Sequence, residues 1–245
     1  MLWRAGADLS RLLAVPLTGS DKMRVTSRGQ DAVRILLIIS ASATPIPPPA
    51  GEPALADVVA VLESQVLLQK LDFWVRNPDF LADELLNEYE RGGGAEFLDL
   101  AGDILASDEP EVRRYPMLRY LFGAFEPLDD ALAVLRSAHL VVPRKRASAG
   151  GRIQRHDYYL TRAGRSAAER IVHDVPEFTY FVDRTRLVAR LADGHRGSRL
   201  KARQYQQDEY RDAVIGDRIA SIAPRVQERW RRCADGLLPP TAPAA

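Results

Sequence analysis

Side chains that support catalysis or metal binding are few and scattered in this sequence. The single cysteine, Cys233, cannot build a thiolate zinc site by itself. The four histidines do not follow H-x-x-x-H or H-E-x-x-H spacing, and neither a G-x-x-x-x-G-K-[ST] nor a G-x-S-x-G motif occurs. The histidines are His139, His156, His173 and His195. We therefore expect no catalytic residue, no metal site, no cofactor and no enzymatic activity.

Two pairs of neighbouring acids are the remaining candidates for general acid–base chemistry. They are Asp83 with Glu84, and Asp129 with Asp130. Adjacent residues of a helix do not face each other, and acids in a first helical turn interact favourably with the helix dipole. We interpret both pairs as structural.

A cation-rich segment runs from Val141 to Thr161. Two strand candidates, LVVPRKR and IQRHDYYLT, flank a small-residue stretch that contains Gly150 and Gly151, which predicts a β-hairpin with a loose tip. Its cations could neutralise phosphates, contact a partner protein or belong to a solvated turn, and all three interpretations remain open. The hairpin cations are Arg144, Lys145, Arg146, Arg152 and Arg155.

Charge is unevenly distributed along the chain. The 245 residues are 46% hydrophobic and 27% charged, a globular composition that suffices for one large domain or two small ones. The net charge is +1, but Gly51 to Glu111 carries fifteen acids against three bases, whereas Arg144 to Arg170 carries eight bases against two acids. Because a partner responds to charge within a Debye length of about 8 Å, the small total does not exclude a polyanion.

Several features indicate a cytoplasmic protein that does not enter a membrane. One cysteine excludes a disulfide framework, which favours a reducing compartment. The longest aliphatic run, ILLII, is far shorter than a bilayer span, and Arg4 and Asp8 argue against a secretory signal. We interpret residues 1–28 as a disordered leader, or as a stretch that precedes a true start at Met23, and residues 237–245 as a flexible tail.

Residues 29–112 form a predicted helical region. The apolar stretch from Gln30 to Ser42 has no period that separates a buried helix from a buried strand, and prolines then interrupt regular structure. From Ala54 to Gly94, apolar residues at helical spacing predict helices that meet at Asn77 and end at a glycine triplet. Within them, we interpret LDFW as helix packing rather than as an aromatic binding patch. A third helix is predicted in AEFLDLAGDILAS.

Residues 113–174 show the element order helix, helix, strand, turn, strand, helix, which is the order of a winged helix-turn-helix domain. The helix candidates are RRYPMLRYLFGAF and PLDDALAVLRSAHLV before the hairpin and RAGRSAAERIVHD after it. Residues 175–236 form a further helical region. In it, Tyr180 to Leu191 carries an apolar stripe, and SRLKARQYQ is a candidate basic helix.

The segment DYYLTRAGRSAAERIV resembles the second wing strand and the following helix of winged-helix proteins of the MarR and PadR kind, in which a Leu-Thr pair ends the strand and a glycine follows. The resemblance covers Arg113 to Val172. It implies a mainly α fold with a small β-hairpin, a winged helix-turn-helix with additional N- and C-terminal helices. It also implies a recognition helix in a DNA groove and a wing along the backbone.

The helix that corresponds to the recognition helix is poorly equipped to read bases. Only Arg136 suits a base edge, whereas Asp129 and Asp130 at the start of the helix repel phosphate. This favours sequence-tolerant DNA contact or protein contact over recognition of a specific operator.

A wider part of the chain, from about Val33 to Ile222, is similar to the middle component of bacterial ABC-three-component systems. The similarity is carried by LLQKLDFWVRNPDFLADEL, RYLFGAFEPLDDALAVLRSAHLV and GSRLKARQYQQDEYRDAVIGDRIASI. Such components are small accessory proteins that accompany an SMC-like or ABC-type ATPase. The similarity implies a non-catalytic adaptor in an anti-phage or stress system, and it assigns no role to any single residue.

We therefore predict a non-enzymatic adaptor subunit of a bacterial ATPase system, which binds a partner protein and for which nucleic acid is a second candidate ligand. The alternative is a DNA-binding transcriptional regulator that dimerises through its terminal helices. The candidate nucleic-acid-binding residues are Arg136, Arg144, Lys145, Arg146, Arg152 and Arg155. The sequence predicts neither the oligomeric state nor the identity of the partner.

Overall fold

The computed structural model of the chain describes residues 28–107, 117–120, 123–125, 127–147, 150–151, 153–174, 178–192 and 219–237. The chain divides into two compact units, each built from two separated stretches. Unit 1 comprises Met1–Asp72 and Glu126–Ala202, and unit 2 comprises Phe73–Phe125 and Arg203–Ala245.

The described residues are mainly helical, with a small four-stranded antiparallel sheet. The helices are α1 (Arg28–Ser42), α2 (Gln65–Arg76), α3 (Pro78–Glu90), α4 (Ala95–Ala106), α5 (Asp129–Ser137), α6 (Arg162–Asp174), α7 (Thr179–Ala192) and α8 (Ala223–Ala234), with a short 3-10 helix at Pro53–Leu55. The strands are β1 (Thr44–Pro45), β2 (Val58–Glu63), β3 (Leu118–Tyr120), β4 (Gly123–Phe125), β5 (Val141–Ala147) and β6 (Ile153–Thr161). Within the described ranges, no helix combines the length and the apolar character that a membrane span requires.

The sheet of unit 1 has the strand order β1–β2–β6–β5, with antiparallel neighbours throughout. The pairing of β5 with β6 confirms the hairpin predicted between Val141 and Thr161. Strand β2 joins the hairpin at β6, where Val61 lies opposite Tyr159 and Glu63 lies opposite Asp157. Residues that are distant in sequence therefore lie side by side in the sheet.

The helix predicted across Val58, Val61 and Leu62 is wrong, because these residues form β2. All three are buried, at 1%, 7% and 1% exposure. Strand β2 lies between β1 and β6. A strand buried on both faces is apolar at nearly every position and loses the alternation that identifies a strand. The neighbouring valines at the start of β2 also favour extended structure.

The helix predicted from Arg113 to Phe125 is also wrong where the structure describes it. Residues Leu118–Tyr120 and Gly123–Phe125 form the antiparallel pair β3–β4, with Leu118 opposite Phe125. Aromatic residues favour strands, and glycine disfavours a helix interior. The first residues of the predicted helix lie outside the described ranges.

The surroundings of helix α1 explain why its sequence shows no hydrophobic period. Every residue from Ala32 to Ile39 is buried. The helix contacts α5, α6 and α7 as well as β2 and β6. A helix with neighbours on several sides is apolar all round rather than along one stripe. The sequence alone leaves helix and strand equally open for such a segment.

Unit 2 is organised around α3, α4 and α8. The rings of Phe73 and Phe80 meet edge to face with centroids 5.0 Å apart, and Trp74 is fully buried. This confirms the interpretation of the LDFW aromatics as helix packing. Trp230 of α8 lies so close to Gly102 of α4 that an added Cβ would come within 2.9 Å of the indole ring.

Candidate nucleic-acid and protein interface

The β5–β6 hairpin determines which of its cations share a face. Residues opposite each other in an antiparallel pair project to the same side of the sheet, and side chains alternate along each strand. Arg144 lies opposite Asp157, and Arg146 lies opposite Arg155. These four residues therefore share one face of the hairpin, which Glu63 of β2 joins because it lies opposite Asp157. We call these five residues the wing face.

Arg155 is held by two carboxylates of the wing face. Its Nη1 donates to Glu63 Oε2 at 2.8 Å and its Nη2 donates to Glu63 Oε1 at 3.0 Å. The same guanidinium lies against Asp157, with Nε 2.6 Å from Oδ1 and Nη2 3.0 Å from Oδ2. The hydrogen bond to Asp157, supported by the charges of Asp157 and Glu63, raises the pKa of Arg155.

Arg146 is held by Asp157 as well. Its Nε donates to Asp157 Oδ2 at 3.2 Å, and its Nη2 donates to the Tyr159 hydroxyl. The hydrogen bonds to Asp157 and Tyr159 raise the pKa of Arg146. The side chain of Arg146 remains about half exposed, at 49%. Arg146 is therefore anchored at one edge and open to solvent at the other.

Asp157 is the acid that organises the wing face. Its side chain is 1% exposed and contacts both Arg146 and Arg155. A buried carboxylate requires such partners, because removing an anion from water without compensation is very costly. Two of the five predicted hairpin cations, Arg146 and Arg155, are thus engaged in internal ion pairs.

Arg144 and Lys145 differ from the other hairpin cations. Lys145 is exposed and Arg144 is partly exposed, and neither side chain makes a hydrogen bond or an ion pair in the part of the chain that the structure describes. Lys145 lies opposite His156, on the face of the hairpin opposite to the wing face. Arg152 lies outside the described residues. The described part of the hairpin therefore keeps two cations without an internal partner.

Helix α5 places its charges as the sequence predicts. Ala131 and Leu135 are buried, whereas Asp129, Asp130 and Arg136 are exposed. The exposed face of α5 thus begins with two acids and ends with one arginine. Asp130 also forms an ion pair with Arg28 of α1, with its Oδ2 lying 3.2 Å from the arginine Nε. This face offers little positive charge to a phosphate backbone.

Asp83 and Glu84, the other acid pair considered for acid–base chemistry, make hydrogen bonds and ion pairs with neighbouring side chains. Asp83 Oδ1 accepts from Arg229 Nη1 at 2.7 Å. Glu84 accepts from Asn87 Nδ2 at 3.2 Å and lies 3.5 Å from Arg91. Among the described residues, no group of three or more His, Cys, Asp or Glu side chains could hold a metal ion. His195 lies outside the described residues.

A cleft of about 590 Å³ lies among α1, α6 and α7 of unit 1. Leu37, Ala168 and Val182 are among its apolar lining residues, and each is at most 5% exposed. Its charged lining residues include Glu169 and Arg186. Because both signs of charge line the cleft, its electrostatics favour neither an anionic nor a cationic ligand.

Sequence reasoning missed Glu63 and Asp157 as parts of the wing face. Asp157 carries one available signal, because a lone acid among the alternating residues of a basic strand suggests a cross-strand partner. Glu63 carries none, since it is separated from Arg155 by 92 positions in the sequence. Its place beside the hairpin follows only from the pairing of β2 with β6.

Comparisons with known proteins identified no relative of this chain. We found no significant match of the chain to a family model, a curated protein or a solved structure. The function is therefore inferred from the residues and geometry of the chain and from the resemblances of its sequence segments.

Proposed function

We propose that the protein is a non-enzymatic adaptor whose winged-helix module binds a partner protein, with the wing adding a contact to the nucleic-acid backbone. The strand order β2–β6–β5, with α5 directly before the hairpin and α6 directly after it, supports this proposal. In this interpretation, α2 and α5 are the two helices of the helix-turn-helix. The sequence between them, residues 77–128, which contains α3, α4 and the β3–β4 pair of unit 2, is an insertion.

The observation that carries the choice of a protein partner is the internal neutralisation of the wing face. Asp157 and Glu63 occupy the guanidinium groups of Arg146 and Arg155. The exposed face of α5 begins with acids. A specific DNA reader needs hydrogen-bond donors at base edges and cations at phosphates. A surface of mixed charge is better suited to a protein.

An ATPase is the partner that the sequence similarity favours. We propose that the chain accompanies an SMC-like or ABC-type ATPase in a bacterial defence or stress system, as the middle component of an ABC-three-component system does. The test is co-purification of the tagged chain with the products of adjacent genes, followed by calorimetric titration. We expect a Kd of about 1 µM or lower. A chain that binds none of these products contradicts the proposal.

A pair of charge reversals shows whether α5 takes part in that contact. Asp129→Lys changes the exposed start of α5, and Glu228→Lys makes the same charge change on α8, where Glu228 is 66% exposed. We expect Asp129→Lys to weaken partner binding at least tenfold and Glu228→Lys to leave it nearly unchanged. Equal effects of the two variants would show that only net charge matters.

A DNA-binding regulator is the second candidate, and the unpartnered side chains of Arg144 and Lys145 favour it. Replacing both with alanine should lower the slope of log K against log salt by about 2, because each phosphate contact contributes about 0.9. A regulator would also bind one operator about a thousandfold or more tighter than random duplex. We expect the wing to contribute to the salt slope but the chain to show no such preference.

A further inference from the structure

We propose that Glu63 is an internal anion that masks a phosphate-binding site on the wing face, and that the phosphodiester backbone of a nucleic acid displaces it. The inference rests on the wing contact proposed above but not on the identity of the partner protein. It assigns phosphate binding to Arg155 and Arg146, whose guanidinium groups are already engaged in internal ion pairs.

The contact between Glu63 and Arg155 has the form of a bound anion. Two carboxylate oxygens accept from two guanidinium nitrogens at 2.8 and 3.0 Å. A phosphate presents oxygens that match this fork equally well. Glu63 is therefore a mimic of the ligand that the fork is shaped to hold.

The two carboxylates of the wing face differ in how easily they can be displaced. Glu63 has 56% of its side-chain surface exposed, and Arg155 has 39%. An ion pair between exposed side chains is weak and is screened by salt. Asp157 is 1% exposed and holds Arg146 and Arg155 from the buried side. When Glu63 leaves, Asp157 keeps both guanidinium groups in place.

The unmasked face fits a polymer of phosphates rather than a single anion. Arg144 and Arg146 are two residues apart on β5 and project to the same side, which places their Cα atoms about 6.6 Å apart. Neighbouring phosphates along one nucleic-acid strand have a comparable spacing. Arg155 lies opposite Arg146 and adds a third guanidinium to this face. The row follows the strand, as a wing lies along a backbone.

The test is the variant Glu63→Gln in the full chain, measured by fluorescence anisotropy with a random-sequence DNA duplex at several salt concentrations. We expect affinity at low salt to rise about three- to tenfold and the slope of log K against log salt to steepen by up to about 0.9, because the phosphate at Arg155 no longer competes with Glu63. The control is Glu228→Gln, which removes the same charge from an acid that is 66% exposed and pairs with Arg231. It should change neither quantity.

Two further measurements separate masking from other causes. Adding Arg155→Met to Glu63→Gln should abolish the gain, and Arg155→Met alone should lower the affinity to that of the double variant, because wild-type binding also uses this guanidinium. A poly-glutamate competitor should displace the duplex poorly. Equal gains in Glu63→Gln and Glu228→Gln, or equally tight binding of poly-glutamate, would overturn the inference.

The outcome also distinguishes this inference from the wing contact on which it rests. If replacing Arg144 and Lys145 weakens DNA binding while Glu63→Gln adds nothing, the wing contact stands and the masking is overturned. If neither the wild-type chain nor Glu63→Gln binds the duplex, both are overturned. The binding of a partner protein is measured separately and does not enter this test.

Discussion

The backbone amide of Gly164 donates a hydrogen bond of 2.9 Å to the side-chain hydroxyl oxygen of Thr161. The same hydroxyl lies 2.8 Å from the carbonyl oxygen of His139 and 3.1 Å from that of Leu140, to which it can donate. Thr161 thus caps the first turn of α6 and fastens it to the segment that joins α5 to β5. These residues belong to the Leu-Thr-x-x-Gly pattern that carries the resemblance to winged-helix proteins, so the pattern has a local structural cause.

Replacing Gly164 with alanine should destabilise unit 1. An added Cβ would come within 2.1 Å of the Leu140 carbonyl oxygen. We expect the free energy of unfolding to fall by about 2–3 kcal/mol, which exceeds the roughly 1 kcal/mol that alanine gains over glycine in a helix. Urea denaturation followed by circular dichroism measures the change. Ser166→Ala on the exposed side of α6 is the control, and a Gly164→Ala protein as stable as wild type would refute the close approach.

Replacing Thr161 with valine should cost about 1–2 kcal/mol. Valine keeps the shape of threonine but removes the hydroxyl that accepts from Gly164, so an amide of the first turn of α6 loses its partner. Thr161→Ser keeps the hydroxyl and should be much less harmful. The same urea titration measures both variants. Equal losses in the two would indicate that the methyl group of Thr161, rather than its hydroxyl, matters.

Arg229 should be essential to the stability of unit 2. Its guanidinium donates to Asp83 Oδ1 and to Asn87 Oδ1 at 2.7 Å, and to Glu90 Oε2 at 2.8 Å. Asp83 is only 2% exposed, so Arg229→Met leaves a buried carboxylate without this partner. We expect a loss of about 3–5 kcal/mol in thermal or urea unfolding.

Two variants check the cause of that loss. Arg231→Met removes an arginine from the same helix that is 62% exposed, and it should change little. Combining Arg229→Met with Asp83→Leu should recover part of the stability, since the buried charge is then removed as well. A double variant as unstable as the sum of its singles would contradict the proposed coupling.

The thiol of Cys233 should react slowly while the protein is folded. The side chain is buried, its sulfur lies 3.8 Å from Glu90 Oε1, and burial together with the negative charge of Glu90 raises the pKa of the thiol. We expect alkylation by iodoacetamide at pH 8 to be at least tenfold slower than in urea, because the thiolate is the reactive form. Rapid alkylation of the native protein would contradict this burial.

The same raised pKa gives a pH dependence with a definite sign. The folded state favours the neutral thiol, whereas the unfolded thiol ionises near pH 8.5. Stability is therefore unaffected by Cys233 well below that pH and falls as the pH rises through it, because unfolding then releases a proton. Urea titrations of wild type and Cys233→Ser at pH 7 and pH 9.5 measure the effect, which should be weaker in the variant.

The sequence predicted those helices and strands that are specified by residues within their own segments. The hairpin, α4, α5 and α6 all follow from periodicity, turn residues and early-turn acids in their own segments. Strand β2 and the β3–β4 pair did not follow, because a short apolar run has no period of its own and takes its conformation from neighbouring strands. The same reason left α1 undecided between helix and strand.

The candidate site was only half visible in the sequence. The residues themselves predicted that the site consists of cations and that it lies on a hairpin. They also predicted the two acids at the start of α5. The sequence did not predict which of the cations are neutralised by internal ion pairs, because Arg155 pairs with Glu63, which lies 92 positions away in the sequence.

By itself, the sequence determined a mainly helical chain with one basic hairpin and without a recognisable catalytic motif, since composition, spacing and turn chemistry act over a few residues. Only the tertiary structure decided which hairpin cations are already neutralised and which remain without an internal partner. The physical reason is that an ion pair depends on distances of a few ångströms, and the sheet register, not the order of residues along the chain, brings Glu63, Arg155 and Asp157 within that range.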